Sequence, residues 1–102
     1  MRTLINIKNE KDLSALYAKK KTGTFSILYT SLWDSSCTRL MGKVDEWLDR
    51  EGDESLYVIN SWDTPAAFSM FMITSVPALV GIKRGKVRVN VEFPTIYRYF
   101  EG

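Results

Sequence analysis

The almost continuously apolar run Phe25–Leu32 is the segment that most constrains how this chain can fold. It contains aromatic and β-branched residues and lies between a turn-forming glycine, Gly23, and the polar stretch 34–36. A short run of this composition, bounded by turn residues, predicts a strand that is buried on both faces. Because such a strand needs cover on each side, we expect an α/β domain in which a central sheet lies between helices.

The rest of the chain supplies neighbours for that strand. Strands are predicted where apolar residues alternate or run together, at 3–7, 56–59, 76–82 and 87–91. Helices are predicted where apolar residues recur every three or four positions, at 9–21, 40–48, 65–72 and 94–100. Asn9 is the predicted cap of the first helix, and 83–86 is a predicted hairpin turn. The order β-α-β-α-β-α-β-β-α predicts right-handed crossovers into a parallel sheet, which the terminal hairpin extends with antiparallel strands.

The composition excludes several kinds of site. A length of 102 residues fits one domain, 1–102, around one core. Fourteen Lys and Arg against 12 Asp and Glu leave a net charge of +2, too little by itself to indicate nucleic-acid binding. With no histidine and a single cysteine, Cys37, the chain has no intrachain disulfide, Cys/His zinc site or histidine-based triad. We therefore expect no metal and no cofactor.

The sequence also bears on location. No apolar stretch approaches the roughly 20 residues that span a bilayer, so we expect no membrane partner. The N-terminal segment lacks the layout of a secretory signal, because a cluster of charged residues begins at Lys8. We expect a cytoplasmic monomer.

Three motifs, in order along the chain, resemble those of the thioredoxin superfamily. The loop Trp33–Cys37 (WDSSC) resembles the family's Trp-Cys-x-x-Cys loop, which also follows a buried strand. The segment Val76–Val80 (VPALV) resembles its strand that begins with a cis-proline, and Lys83–Val87 (KRGKV) is similar to its Lys-Asn-Gly-Glu-Val hairpin. The resemblance covers nearly the whole chain and implies the thioredoxin fold, with a mixed central sheet and helices on both faces.

The departures from the family pattern bear on its chemistry. Asp34 stands at the position of the attacking cysteine, and Cys37 matches the second, resolving cysteine. The resemblance places the family's buried aspartate at Leu28, its accompanying lysine near Val58, and the glycine before its last helix near Phe93. Since a buried carboxylate and its lysine are replaced together by apolar groups, no single charge is left stranded. The pattern indicates release from dithiol chemistry.

Asp34 and Cys37 each admit two interpretations. As a helix N-cap, Asp34 accepts a hydrogen bond from the N–H of Ser36 or Cys37. As a general base it needs a raised pKa, which a helix N-terminus opposes. Cys37 is either an inert packing thiol or a reactive monothiol that glutathione can cap. Turnover on protein disulfides is not expected, since no second thiol resolves the mixed disulfide.

The resemblance further implies a groove for an extended peptide, bound by strand addition beside the proline. It assigns partner binding, to a protein or an extended peptide, to six residues: Trp33, Asp34, Ser35, Ser36, Val76 and Pro77. Two alternatives remain. Pro77 can serve only to fix a tight turn in cis, and Phe93 can fill part of the groove.

Three further features have simple structural explanations. The basic clusters 19–21 and 83–88 fit solvated surfaces better than nucleic-acid contacts, because no aromatic residues are interleaved. The aromatic residues of 93–100 fit packing of the last helix. Trp62, if exposed, hints at an interface.

The function expected first is a redox-inactive protein-binding module of the cytoplasm. The alternative is a monothiol thioredoxin-like oxidoreductase that uses Cys37 with an external thiol such as glutathione. A third hypothesis is an accessory protein of a phage or virus that binds a host partner.

Overall fold

The computed structural model describes residues 1–31 and 33–101, without the side chain of residue 65. Its strands are β1 Thr3–Ile7, β2 Thr24–Thr30, β3 Ser55–Asn60, β4 Ala78–Lys83 and β5 Lys86–Asn90. Its helices are α1 Glu10–Lys19, α2 Ser35–Leu48 and α3 Phe93–Glu101, and a 3₁₀ helix covers Pro65–Ser69. Among these residues, no helix is both long enough and apolar enough to cross a bilayer.

The strands form one five-stranded mixed sheet in the order β1-β3-β2-β4-β5. Strand β3 runs parallel to β1 and β2, whereas β4 is antiparallel to both of its neighbours. The carboxyl ends of β1, β2 and β3 therefore meet at one edge of the sheet, and β4 begins at that edge. The predicted mixed sheet is confirmed.

A separate hydrophobic cluster covers each face of the sheet. Strand β2 contributes to both, with Ile27 on the face covered by α1 and Leu28 on the face covered by α2 and α3. Leu16 of α1 packs in the first cluster, and Trp47 of α2 meets Phe100 of α3 in the second. The burial of β2 on both faces, predicted from its apolar run, is confirmed.

Short-range signals set the ends of α1. The side chain of Asn9 accepts the N–H of Asp12 at 2.9 Å, which satisfies a donor that the first helical turn leaves open. The helix ends at Lys19, two residues earlier than predicted, and the N–H of Gly23 donates to the Lys19 carbonyl at 2.8 Å.

Some predicted boundaries need correction. The sequence predicts a loop at Ser35 and Ser36, but both residues lie in the first turn of α2, because Asp34 caps that helix. Strand β4 begins at Ala78 instead of Val76, since Pro77 has no N–H to contribute to the ladder. Strand β5 is shifted by one residue from 87–91, and the predicted end of β2 at residue 32 lies outside the described residues.

The third predicted α-helix is wrong: only the 3₁₀ helix Pro65–Ser69 forms. Met72 has a φ of 57°, which ends the helical path. The N–H of Met72 donates to the Ser69 carbonyl at 3.3 Å, and the N–H of Ile73 donates to the Phe68 carbonyl at 2.8 Å. This pair of bonds is the Schellman termination, in which glycine usually occupies the left-handed position. Phe68 and Ile73 both pack in the α1-side cluster. The apolar spacing that predicts a helix here therefore reflects residues of a turn that face the core.

The predicted hairpin between β4 and β5 is confirmed. Arg84 and Gly85 have φ values of 50° and 86°, as required of the central residues of a type I′ turn. The turn suits the right-handed twist of the two strands and pairs Lys83 with Lys86.

Candidate functional site

The turn after β2 brings Asp34 to the start of α2 as its N-cap. Asp34 has an extended backbone, and its Oδ1 accepts the N–H of Cys37 at 3.1 Å. Its carbonyl accepts both the N–H and the hydroxyl of Thr38, at 3.1 and 3.3 Å. The carboxylate thus occupies the positive end of the helix, where a negative charge is stabilised. The cap interpretation of Asp34, with Cys37 as the donor, matches this geometry.

The residues on either side of Asp34 face outward to different degrees. Trp33 is 81% exposed, and its backbone N–H donates to the Ser31 hydroxyl at 3.4 Å. Ser35 is exposed and Ser36 is half-buried. The loop therefore presents a large indole and a hydroxyl to solvent, while its carboxylate is engaged with the backbone.

Cys37 lies in the first turn of α2 and points inward, with only 1% of its surface exposed. It borders a cavity of about 340 Å³ that the ends of β1 and β3 also line, through residues such as Lys8 and Asn60. Trp33, Val76 and Pro77 are not among the residues that line this cavity. The thiol and the exposed loop thus face different spaces.

Beneath the start of α2, Leu28 and Val58 are register partners on the neighbouring parallel strands β2 and β3. Their exposures are 0% and 6%, and both belong to the cluster between the sheet and α2 and α3. Neither side chain can carry a proton. The site beneath the loop consequently has no acid or base at the two positions where the family resemblance places them.

The Val76-Pro77 peptide bond is cis and lies immediately before β4. Strand register pairs Ala78 with Tyr29, the penultimate residue of β2. The cis bond and the Trp33–Cys37 loop are therefore brought to the same edge of the sheet. Pro77 is buried, whereas Val76 is half-buried.

Phe93 begins α3 and is half-buried. Its ring lies 5.7 Å from that of Tyr97, and the Arg39 guanidinium sits 5.6 Å from the Phe93 ring centroid. These contacts attach Phe93 to α2 and α3, as expected of a residue that packs the last helix.

Two further apolar side chains, Trp62 and Met72, are exposed. Trp62 is 74% exposed, in the turn after β3. The neighbouring Ser61 N–H donates to the Thr30 carbonyl at 3.0 Å, which holds this turn against the end of β2. Met72, 85% exposed at its left-handed position, was not singled out from the sequence, because only the backbone turn shows that it leaves the core.

Below this edge, Tyr29 ties the sheet to the 3₁₀ helix. Its side chain is fully buried, and its hydroxyl donates to the Ala67 carbonyl at 3.1 Å. Burial raises the pKa of this phenol, so Tyr29 stays neutral and supports the segment that leads toward the cis bond.

Comparison with known proteins identifies the architecture. No protein-family model matches the sequence, and no curated protein matches it by sequence. Among solved structures, a thioredoxin pre-protein of Schistosoma mansoni matches with a TM-score of 0.77 at 18% identity, covering 97% of this chain and 96% of that one. Thioredoxin O1 of Arabidopsis thaliana matches with a TM-score of 0.80 at 18% identity, covering 96% of this chain and 95% of that one. The thioredoxin NaTrxh of Nicotiana alata matches with a TM-score of 0.80 at 12% identity, covering 96% of this chain and 90% of that one. The chain has the thioredoxin fold.

Proposed function

We propose that this chain is a redox-inactive protein-binding module of the cytoplasm that holds an extended segment of its partner beside the Trp33–Cys37 loop and the Val76-Pro77 step. The observation that carries the proposal is the hydrogen bond from the Cys37 N–H to Asp34 Oδ1, 3.1 Å long. A carboxylate occupies the helix end where a dithiol protein needs its attacking thiolate. The remaining thiol is 1% exposed, so a protein disulfide cannot reach it without movement of the loop.

The same edge of the sheet leaves two large side chains exposed to solvent. Trp33 and Trp62 are 81% and 74% exposed, and tryptophan is among the residues that contribute most to protein interfaces. Val76 precedes the cis bond and lies outside any strand, so an added strand would pair with its backbone in the proposed groove. The six residues Trp33, Asp34, Ser35, Ser36, Val76 and Pro77 form the proposed partner site.

The redox half of the proposal is tested by reduction of insulin disulfides with dithiothreitol as the electron source. The natural chain is expected to give the uncatalysed rate. Asp34→Cys restores a thiol at the helix N-terminus and is expected to raise the rate, with Ser35→Cys as a control that adds a thiol one position away. Catalysis by the natural chain would contradict the proposal.

The binding half is tested with a library of displayed random peptides that contain no cysteine. Peptides selected on the natural chain should lose at least tenfold in affinity for Trp33→Ala and retain it for Tyr17→Ala, which removes an exposed aromatic ring from α1. Amide shifts on peptide addition are expected at Trp33 and Val76. Equal binding by Trp33→Ala would overturn the groove assignment.

A second candidate function is favoured by the cavity of about 340 Å³ that borders Cys37. In a monothiol oxidoreductase, the Cys37 thiolate attacks a disulfide and releases one half as a thiolate. Glutathione then attacks the mixed disulfide at the sulfur of the other half, which frees Cys37 as a thiolate and leaves that half in a mixed disulfide with glutathione. This candidate requires that a thiol reagent modify Cys37 in the folded chain much faster than the chain unfolds. Modification at the unfolding rate rules it out and leaves the first proposal standing.

A further inference from the structure

A cavity lies at the opposite end of the sheet from Asp34. It encloses about 1230 Å³ and is open to solvent along one side. Its floor crosses three strands at one register position, where Gly81 on β4 pairs with Ser26 on β2 and with Arg88 on β5. The ring of Tyr99 forms its wall on the side of α3. We call this space the Gly81 hollow.

The floor is empty because Gly81 carries no side chain. A Cβ placed on this residue would meet no heavy atom within 4 Å. Glycine in a strand interior costs stability, and here no close packing requires it. Two hydroxyls lie beside this space, those of Ser26 and Tyr99, and their oxygens are 3.5 Å apart. The hollow therefore combines open space over Gly81 and apolar lining from residues such as Val87 and Tyr99 with two hydroxyls at one side.

The acidic and basic side chains that line the hollow differ in whether they form ion pairs. The lining includes two carboxylates, each of which has an ion-pair partner: Asp53 with the N-terminal ammonium at 3.4 Å and Glu54 with Arg2 at 3.1 Å. On the hairpin side, the lining includes three cations, Lys83, Lys86 and Arg88. None of the three takes part in an ion pair within residues 1–31 and 33–101. The unneutralised charge facing the hollow is positive.

We propose that the Gly81 hollow binds a small amphipathic organic anion, a molecule with an apolar chain or ring and one acidic head group. The apolar part lies over Gly81 against the Tyr99 ring, which removes both from water. The acidic head lies at the hairpin, where the Arg88 guanidinium offers paired donors and Lys86 adds a second cation. This site lies at the other end of the sheet from the proposed partner groove and does not depend on it.

The test uses anilinonaphthalene sulfonate, an aromatic anion whose fluorescence rises in apolar surroundings. The natural chain is expected to bind one equivalent, and decanoate to displace it. Decyltrimethylammonium, which has a similar chain and the opposite charge, is expected not to displace it. Displacement by both amphiphiles alike would overturn the requirement for an anion.

Two variants separate the floor from the charge. Gly81→Val fills the hollow with a residue that strands favour, and Arg88→Glu reverses one charge; each is expected to weaken binding at least tenfold. Their matched controls are Gly42→Ala, where a Cβ also meets nothing within 4 Å, and Lys11→Glu on exposed α1. Both controls are expected to bind as the natural chain does. Weakening by Arg88→Glu without weakening by Gly81→Val would show a basic surface instead of a pocket and would overturn the proposal.

Amide shifts of the natural chain provide a readout that needs no variant. Decanoate is expected to shift the amides of Ser26, Gly81 and Arg88 and to leave those of Asp34 and Cys37 unchanged. Shifts spread evenly over the chain, or none at saturating decanoate, would refute the site even if Gly81→Val failed to fold.

Discussion

The carboxylate of Asp34 accepts the backbone N–H of Cys37 at 3.1 Å, so an acidic cap holds the helical turn that carries the chain's single thiol. The cap stabilises α2 in the absence of any bound partner. It also engages the Cys37 N–H with a fixed negative charge, at the helix end where a redox protein would present a thiolate.

Removal of this cap should weaken the fold. Asp34→Ala is expected to lower the free energy of unfolding by about 0.5–2 kcal/mol, because the Cys37 N–H loses its acceptor. Asp34→Asn keeps an acceptor of similar capping strength and should lose much less. Urea unfolding measures both, with Asp45→Ala, an exposed carboxylate later in α2, as the control. An equal loss for Asp34→Ala and Asp45→Ala would contradict the role of the cap.

A charge placed beneath the loop should be expensive. Leu28 is fully buried, so Leu28→Asp is expected to cost about 3–5 kcal/mol through an unpaired buried charge. Because Val58 is its register partner, the double variant Leu28→Asp/Val58→Lys should lose less than the sum of the single variants. A double-mutant cycle in urea is expected to give a coupling energy of about 0.5–3 kcal/mol. Strict additivity would show that the two positions do not communicate.

The left-handed position at Met72 should be improved by glycine. A residue with a Cβ is destabilised by about 1–2 kcal/mol at this φ. Glycine avoids this strain but loses more backbone entropy on folding, which offsets part of the improvement. Met72→Gly is therefore expected to raise stability by about 0.5–1 kcal/mol. Met70→Gly, at a φ of −54°, should lower it. Thermal unfolding of both variants tests the pair, and a loss at both positions would argue against strain at Met72.

Stability should also depend on one carboxylate at acid pH. The hydrogen bond from Arg2 holds the pKa of Glu54 below its usual range. A lowered folded-state pKa stabilises the fold above the unfolded pKa, about 4.3, and this contribution fades as the pH falls through the folded value. Between about pH 5 and pH 3, Glu54→Gln should remove a small part of the decline. An unchanged stability profile from pH 5 to pH 3 would contradict the contribution of the pair.

Gly42 on the exposed surface of α2 should tolerate a side chain. A Cβ there meets nothing within 4 Å, and alanine favours a helix over glycine by about 0.5–1 kcal/mol. Gly42→Ala is expected to raise the midpoint of thermal unfolding. A lower midpoint would contradict the open surroundings of Gly42.

Much of the fold follows from short-range signals. Asn9 and Asp34 act as caps through bonds to residues three positions away, so sequence alone can reveal them. The apolar run of β2 likewise predicts burial on two faces without knowledge of its neighbours. The prediction of a third α-helix was wrong because this segment ends at the Met72 turn and packs Phe68 against the sheet. The spacing of apolar residues does not encode either feature.

The candidate site was predictable only in part. The position of Asp34 in the chain indicates a cap, but the 1% exposure of Cys37 depends on how α2 rests on the sheet. The Gly81 hollow had no sequence signal beyond a glycine in a strand, because it arises where Ser26, Arg88 and Tyr99 converge from three other elements. Such convergence is a property of the tertiary structure.

The apolar pair Leu28 and Val58 also governs which sequences can be reached from this one by single changes. A buried acid–base pair could be introduced only one residue at a time, and each first step leaves a lone buried charge that costs about 3–5 kcal/mol. That cost is a large fraction of the stability of a small domain, about 5–15 kcal/mol. A chain with apolar residues at both positions would therefore gain such a pair by single changes only through a strongly destabilised intermediate.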